Sequence, residues 1–116
     1  TLWWDIVEKY QMLKRPEGRN EADWASKIHI ALYPCYYHNY QLGALLAAQF
    51  QYFITHDLTG NDDMRYETYE KYPAIIGTWM KEFIFKKGMV LEWNDMIEGS
   101  TGEKLTAKYY KMLFVD

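Results

Sequence analysis

The sequence predicts an all-α fold, with about five or six helices in an irregular array and a single domain over residues 1–116. Apolar residues recur at spacings of three and four, the period of a helix, whereas the alternation typical of a strand does not last beyond a few residues. Apolar residues make up 49% of the chain and charged residues 25%, which is the balance of a globular protein. The high aromatic fraction, 18%, predicts a substantial core.

The first predicted helix covers residues 2–13. Its apolar residues lie on one face, and they are Leu2, Trp3, Ile6, Val7, Tyr10 and Leu13. Pro16 and Gly18 both disfavour helix and therefore end it. The mixed pattern over residues 21–32 predicts one helical turn near Asp23-Trp24, followed by an irregular or extended stretch.

The longest predicted helix begins at Pro34 and runs to about Thr55. Proline is tolerated in the first turn of a helix because its missing N–H would have no partner there. From Leu42 onward the helix is apolar on nearly every side, which predicts a central position in the fold. The polar residues 56–63 that follow, with Gly60 among them, predict a loop.

Two further helices are predicted over residues 64–72 and 74–87. The first stops before Pro73, because proline disfavours helical backbone in the residue that precedes it. The second ends at Gly88, which suits the left-handed conformation that often follows a helix.

Two short helices complete the prediction. Asn94 is placed at the start of one that ends at Gly99, and Thr106 at the start of the last, which runs to Phe114. The side-chain oxygens of Asn and Thr can accept N–H groups of the first helical turn, which makes both residues suitable caps.

Charge and hydropathy exclude two classes of partner. The net charge is −3, and the basic pairs Lys14-Arg15 and Lys86-Lys87 lie near predicted helix ends, where positive charge is favourable. No dense cluster of Lys and Arg is present, so a nucleic-acid partner is not expected. The longest apolar region, residues 42–54, is too short to span a membrane and contains Gln49 and Gln51.

Metal and disulfide chemistry within the chain is not expected either. The one cysteine, Cys35, cannot form an internal disulfide, so it leaves the cellular compartment open. The chain has three histidines, which are His29, His38 and His56. No two of them have the i, i+4 spacing that lets two imidazoles share a zinc ion from one helix, so we predict no metal ligands in this chain.

Polar groups that could bind a ligand concentrate in one segment. Lys27 and His29 are followed by four tyrosines at positions i, i+3, i+4 and i+7, a spacing that predicts one shared helical face, namely Tyr33, Tyr36, Tyr37 and Tyr40. One positive charge and several phenols suit an anionic, carbonyl-bearing group such as a peptide end, and phenols can support an oxyanion. The alternative is that the tyrosines are core residues, as aromatic stripes usually are.

The same segment resembles a known family. The stretches from Trp24 to Ile30 and from Tyr36 to Gly43 resemble the angiotensin-converting-enzyme family of zinc peptidases, especially its bacterial members. The related oligoendopeptidase F group has a similar order of His, clustered Tyr and Gly. The paired tryptophans at the start and the motifs Leu91-x-Trp93-Asn94 and Thr101-Gly102-x-x-Leu105-Thr106-x-x-Tyr109 also resemble this family, so the resemblance covers almost the whole chain.

The resemblance implies a piece of a larger enzyme. The family has a mostly helical, two-lobed, zincin-type fold with a deep peptide channel, and its zinc is bound upstream by a His-Glu-x-x-His helix and a later Glu. That motif is absent here, so the chain is expected to be a C-terminal fragment that provides one wall of the channel and is inactive alone. The parent would hydrolyse peptide bonds with a zinc-bound water, as a peptidyl-dipeptidase or oligopeptidase. The implied partners are a peptide substrate and the rest of the peptidase domain.

The resemblance also implies roles for single residues. Lys27 matches the lysine that holds the C-terminal carboxylate of the substrate, His29 the histidine that hydrogen-bonds a substrate carbonyl, and Tyr36 a tyrosine that helps to bind the carboxylate. Where the family has a second tyrosine that stabilises the oxyanion, this chain has Asn39, so Tyr37 or Tyr40 takes that role.

Two non-catalytic functions are the alternatives. The chain could be a self-contained helical interaction module, whose tyrosines form core and contact surface. It could also bind a small ligand in a pocket of tyrosines. Neither alternative requires a peptide channel.

Overall fold

The computed structural model describes residues 1–61 and 67–114. Over these residues the chain contains seven α-helices and no strand, which confirms the all-α class. The additional helix relative to the prediction is a short one at residues 28–31, where an irregular or extended stretch was expected. The chain forms two compact units: the first unit is Thr1–Asn39 and the second unit begins at Tyr40.

The first unit contains α1 (Leu2–Gln11), a 3₁₀ turn (Asp23–Ser26) and α2 (Ile28–Ala31). Helix α1 ends two residues before the predicted end, because Met12 adopts a left-handed conformation with φ of 57°. The Met12 N–H donates to the Glu8 carbonyl at 3.1 Å, which closes the last turn. Val7 is buried on the inner face of α1.

The predicted helix start at Pro34 is wrong. Residues 32–38 form turns, and α3 begins only at Asn39. Cys35 has a φ of 59°, a left-handed conformation that a right-handed helix cannot contain. The backbone at this residue therefore prevents the long helix from beginning at Pro34.

The second unit contains the rest of α3 (Asn39–Tyr52), α4 (Glu67–Lys71), α5 (Pro73–Trp79), α6 (Trp93–Thr101) and α7 (Lys108–Met112). A π-helical turn, Phe53–Leu58, continues α3 into the segment that was predicted as a loop. Threonine hydroxyls explain this turn: Thr55 Oγ1 donates to the Gln51 carbonyl and Thr59 Oγ1 to the Ile54 carbonyl, each at 2.9 Å, which changes the backbone pairing. The part of the predicted loop at residues 62–63, and the start of the predicted 64–72 helix, lie outside the described residues.

Helix α5 continues through a π-helical turn (Met80–Ile84) and a 3₁₀ turn (Phe85–Lys87), and the run ends at Gly88 as predicted. Ile54, Ile76 and Trp79, each 3–5% exposed, form the core of the second unit. The Trp79 indole contacts Phe50 edge-on at 5.4 Å and Phe53 in a stacked arrangement at 5.1 Å, measured between ring centroids. None of the helices in the described part of the chain is both long and apolar enough to cross a membrane.

The predicted caps near the C-terminus have other roles. Asn94 lies inside α6, and its Oδ1 accepts the Leu105 N–H at 2.8 Å instead of capping the helix. Helix α6 continues past Gly99 to Thr101 and ends at Gly102, whose φ is 87°. The Thr106 hydroxyl accepts the Lys108 N–H at 3.2 Å, in the turn that precedes α7, and α7 ends before the predicted Phe114.

A buried glutamine connects α3 to the segment after α6. Gln49 is 1% exposed, and its Nε2 donates to Thr101 Oγ1 at 2.9 Å and to the Glu103 carbonyl at 3.0 Å. Its Oε1 accepts the Thr106 N–H at 3.1 Å. A buried amide with both ends satisfied fixes the position of the segment it binds.

Candidate functional site

Lys27 and His29 lie at the start of α2. Lys27 has an extended backbone (φ −94°, ψ 113°), and its carbonyl accepts the N–H groups of Ile30 and Ala31, both at 3.0 Å. Its side chain is exposed, so the ammonium is available to solvent. His29 is in the first turn of α2 and is half-buried, not sealed in a core.

The first unit brings His29 together with one of the candidate tyrosines. The ring centroids of His29 and Tyr37 are 5.5 Å apart, with an angle of 36° between the planes. This contact is possible because the turns around Cys35 fold the chain back after α2, which a continuous helix from Pro34 would not do. Tyr33 and Tyr36 form a second ring pair at 6.3 Å.

The four tyrosines do not share one helical face, which corrects the geometric basis of the sequence interpretation. Tyr33, Tyr36 and Tyr37 lie in the turns before α3, and of the four only Tyr40 is in the helix. Tyr40 also belongs to the second unit, whereas the other three belong to the first. All four are 49–58% exposed, so in this structure they are surface residues and not the core that the alternative interpretation required.

The chemistry of this segment is that of a donor-rich surface. An exposed ammonium, an imidazole and phenol hydroxyls are hydrogen-bond donors, and the ammonium adds a positive charge. Such a set can bind a carboxylate and a carbonyl oxygen, as the sequence predicted for Lys27, His29 and Tyr36. The roles of these residues, and of Tyr37 and Tyr40, stay predictions.

A second polar cluster, which the sequence interpretation did not single out, lies in the second unit. The Tyr109 hydroxyl donates to Glu103 Oε1, and Lys108 Nζ lies 3.5 Å from the same oxygen. Burial and the hydrogen bond to Glu103 raise the pKa of Tyr109, while the hydrogen bond from Tyr109 lowers the pKa of Glu103. The signal in the sequence is the motif from Thr101 to Tyr109.

This second cluster stabilises structure. Tyr109 is buried, and its ring contacts Tyr52 of α3 in a tilted arrangement at 4.5 Å between centroids. Tyr52 in turn stacks on His56 at 4.9 Å. The ring contact joins α7 to α3, and the Glu103 hydrogen bond joins α7 to the segment after α6.

The described residues contain no cluster of metal ligands. Within residues 1–61 and 67–114, no three His, Cys, Asp or Glu side chains lie close enough together to hold a metal ion. Zinc sites in proteins need about three or four convergent ligands. The described side chains therefore do not form such a site.

A family model matches most of the chain. The family model described as carboxypeptidase Taq (M32) metallopeptidase matches residues 29–114, about three quarters of the chain. The matched region begins at His29 and includes Tyr36, Tyr37 and Tyr40. No curated protein and no solved structure matches the chain significantly.

Proposed function

The chain belongs to the carboxypeptidase Taq (M32) metallopeptidase family, and on this premise we propose that it forms the substrate-binding part of a zinc carboxypeptidase. The class agrees with the predicted zinc peptidase, although the matching family is neither the angiotensin-converting-enzyme family nor oligoendopeptidase F. The observation that carries the proposal is the ring contact of His29 with Tyr37, both of which lie inside the matched region. The exposed Lys27 precedes His29 by two residues.

In the proposed binding mode, Lys27 pairs with the C-terminal carboxylate of a peptide. Tyr36, half-exposed in the turn before α3, donates a second hydrogen bond to the same group. His29 donates to a substrate carbonyl near the bond that is cleaved. An ammonium and a phenol on one carboxylate give charge-assisted hydrogen bonds, which are stronger than neutral ones.

Of the two tyrosines considered for the oxyanion, the proposal favours Tyr37. Its ring lies against His29, so a carbonyl that reaches the imidazole also comes near the phenol. Donors aimed at the developing oxyanion stabilise the transition state more than the ground state. Tyr40 is the alternative, and exchanging each tyrosine for phenylalanine distinguishes them.

The zinc ion would be bound by residues outside those described, because the described side chains do not provide a ligand set. In this proposal the chain contributes substrate binding, orientation and an oxyanion donor, but no metal ligand. We therefore expect the 116-residue chain to be inactive alone, and a longer protein that includes a zinc motif to be active.

Exposed apolar residues support an extended contact with the rest of a peptidase domain. They follow α5 and include Met89, which is 100% exposed, and Val90, which is 86% exposed. Phe85, Leu91 and Trp93 in the same stretch are also exposed. Several exposed apolar residues in one stretch of chain are typical of a contact site, so the same residues favour a helical interaction module as the second candidate function.

The deciding experiment measures hydrolysis by the full-length peptidase and its Lys27→Ala variant. The substrates are two peptides of identical sequence, one with a free C-terminal carboxylate and one amidated. For the free peptide, kcat/KM is expected to fall by about 10- to 100-fold, since a hydrogen bond to a charged group contributes about 1.5–3 kcal/mol. The amidated peptide should be cleaved slowly by both proteins.

Lys14→Ala is the matched control, because Lys14 is an exposed lysine of the same unit outside the candidate site. It should leave both rates unchanged. An equal loss for free and amidated peptides in Lys27→Ala would contradict the role of Lys27. Release of single residues supports a carboxypeptidase, release of dipeptides a peptidyl-dipeptidase, and retention of activity with a chelator would exclude the metallopeptidase mechanism.

A further inference from the structure

A pocket of about 330 Å³ in the first unit is bordered by three tryptophans. Trp3 and Trp4 come from the first turn of α1, and Trp24 comes from the 3₁₀ turn. The described residues that line it do not include Lys27, His29 or the four tyrosines. The pocket therefore shares no lining residue with the candidate peptide site.

Tryptophan is the aromatic side chain that attracts cations most strongly, because the face of the indole carries negative potential. Several aromatic faces around one small space form the usual recognition site for alkylammonium groups. Among the described lining residues, Glu21 is the one with an acidic side chain, so the pocket combines aromatic walls with a carboxylate. Asn20 adds a neutral polar side chain at the border.

The nearest arginines make contacts within their own segment. Arg15 donates to Asn20 Oδ1 at 2.7 Å and to the Arg19 carbonyl at 2.6 Å. Arg19 Nε donates to both carboxylate oxygens of Asp23, at 2.9 and 3.0 Å. Arg19 also feels the charge of Glu21, but its hydrogen bonds go to Asp23. The Glu21 carboxylate is therefore not held by the Arg19 guanidinium and can attract a ligand cation.

We propose that this pocket binds an alkylammonium group, the side chain of a lysine in a partner peptide or protein. The aromatic walls favour the methylene chain and the charged end together, whereas a neutral side chain of similar size gains only the apolar contact. This binding site goes beyond the proposed peptidase function and does not depend on it.

The test uses nuclear magnetic resonance of the tryptophan indole N–H groups in the full 116-residue chain. The probes are Nα-acetyl-lysine amide and Nα-acetyl-norleucine amide, at an ionic strength held constant with sodium chloride. The lysine derivative should shift the indole signals of the pocket in a saturable way and bind at least about 5-fold more tightly than the norleucine derivative, as expected from a cation–π contact. Equal shifts and affinities for the two probes would overturn the proposal, because the pocket would then be only an apolar groove.

Two variants and a control sharpen the result. Trp24→Ala should weaken lysine binding about 5-fold or more, and Glu21→Gln about 3-fold, since both remove attraction for the cation. Trp93→Ala removes an exposed tryptophan of the second unit and should leave the affinity unchanged. Glu21 is exposed, so Glu21→Gln still decides the question if Trp24→Ala does not fold, and an unchanged affinity in Glu21→Gln would overturn the proposal.

Discussion

The two units of the chain differ in what their side chains do. The second unit has a core of Ile54, Ile76 and Trp79 and buried polar networks around Gln49 and Tyr109. The first unit has few buried side chains and carries exposed donors and partly exposed tryptophans instead. Residues that stabilise the fold and residues that can bind a ligand are therefore largely separate in this chain. Substitutions in the second unit should mainly lower the free energy of unfolding, and substitutions in the first unit should mainly lower activity or ligand binding.

The largest loss of stability is expected for Trp79→Ala. Trp79 is 5% exposed, contacts two phenylalanines and donates from Nε1 to the Ser100 carbonyl at 3.2 Å. Deleting a buried aromatic side chain usually lowers the free energy of unfolding by about 3–5 kcal/mol. Urea denaturation measures the change, with Trp93→Ala as an exposed control expected within about 0.5 kcal/mol. Similar losses of stability in both variants would contradict the assignment of Trp79 to the core.

A smaller loss of stability is expected for Gln49→Leu, which replaces the amide with an apolar side chain of similar size. The Thr106 N–H and the Glu103 carbonyl then lose their partner. An unsatisfied buried polar group costs about 1–3 kcal/mol of unfolding free energy. Hydrogen exchange should also become faster at the Thr106 amide, whereas the exposed control Gln41→Leu should leave it unchanged. An unchanged exchange rate in Gln49→Leu would argue against the network.

The Glu103 carboxylate should make stability depend on pH. Its pKa lies below the ordinary value of 4.5, chiefly because Tyr109 donates to it, so its contribution is complete above that value and is lost as the pH falls through the folded-state pKa. In urea titrations at several pH values, wild type should lose more stability than Glu103→Gln on acidification below about pH 4.5. Tyr109→Phe should reduce the pH dependence in the same way, and identical acid profiles for wild type and Glu103→Gln would refute this assignment.

The smallest effect on stability is expected in the first unit. Tyr37→Phe removes only a half-exposed hydroxyl, so the free energy of unfolding should change by less than about 0.5 kcal/mol. Under the proposed function, kcat of the full-length peptidase should nevertheless fall by about 10²- to 10³-fold, the usual effect of removing an oxyanion donor. Tyr40→Phe is the matched variant. If Tyr40→Phe lowers kcat and Tyr37→Phe does not, Tyr40 is the oxyanion donor.

Sequence periodicity identified most of the helices, because burial of an apolar face dominates helix placement. It failed at Pro34, where a left-handed Cys35 ends the helical path, because no side-chain pattern marks that conformation in a residue other than glycine. It also failed at Asn94, which was a plausible cap by residue type but bonds to Leu105, eleven residues away. Hydrogen bonds across such separations depend on the packing of helices and are not visible in local sequence.

The sequence predicted which residues belong to the candidate site, but not how they are arranged in space. Lys27, His29 and Tyr36 were identified by their order in the chain, and the matched family supports the peptidase class of that prediction. The ring contact between His29 and Tyr37 depends on turns that the sequence interpretation replaced with a helix. The tryptophan pocket was missed because its walls come from α1 and from a turn about 20 residues later, which only the folded chain brings together.

The left-handed turn at Cys35 places the one thiol of the chain on the surface, directly before Tyr36. A maleimide-linked fluorophore or nitroxide at this sulfur would need no added cysteine and no removal of others. Because the label would sit beside the tyrosines, its spectrum would report on peptide occupancy in real time. The conformation that interrupts the helix thus also provides a native attachment point for spectroscopy.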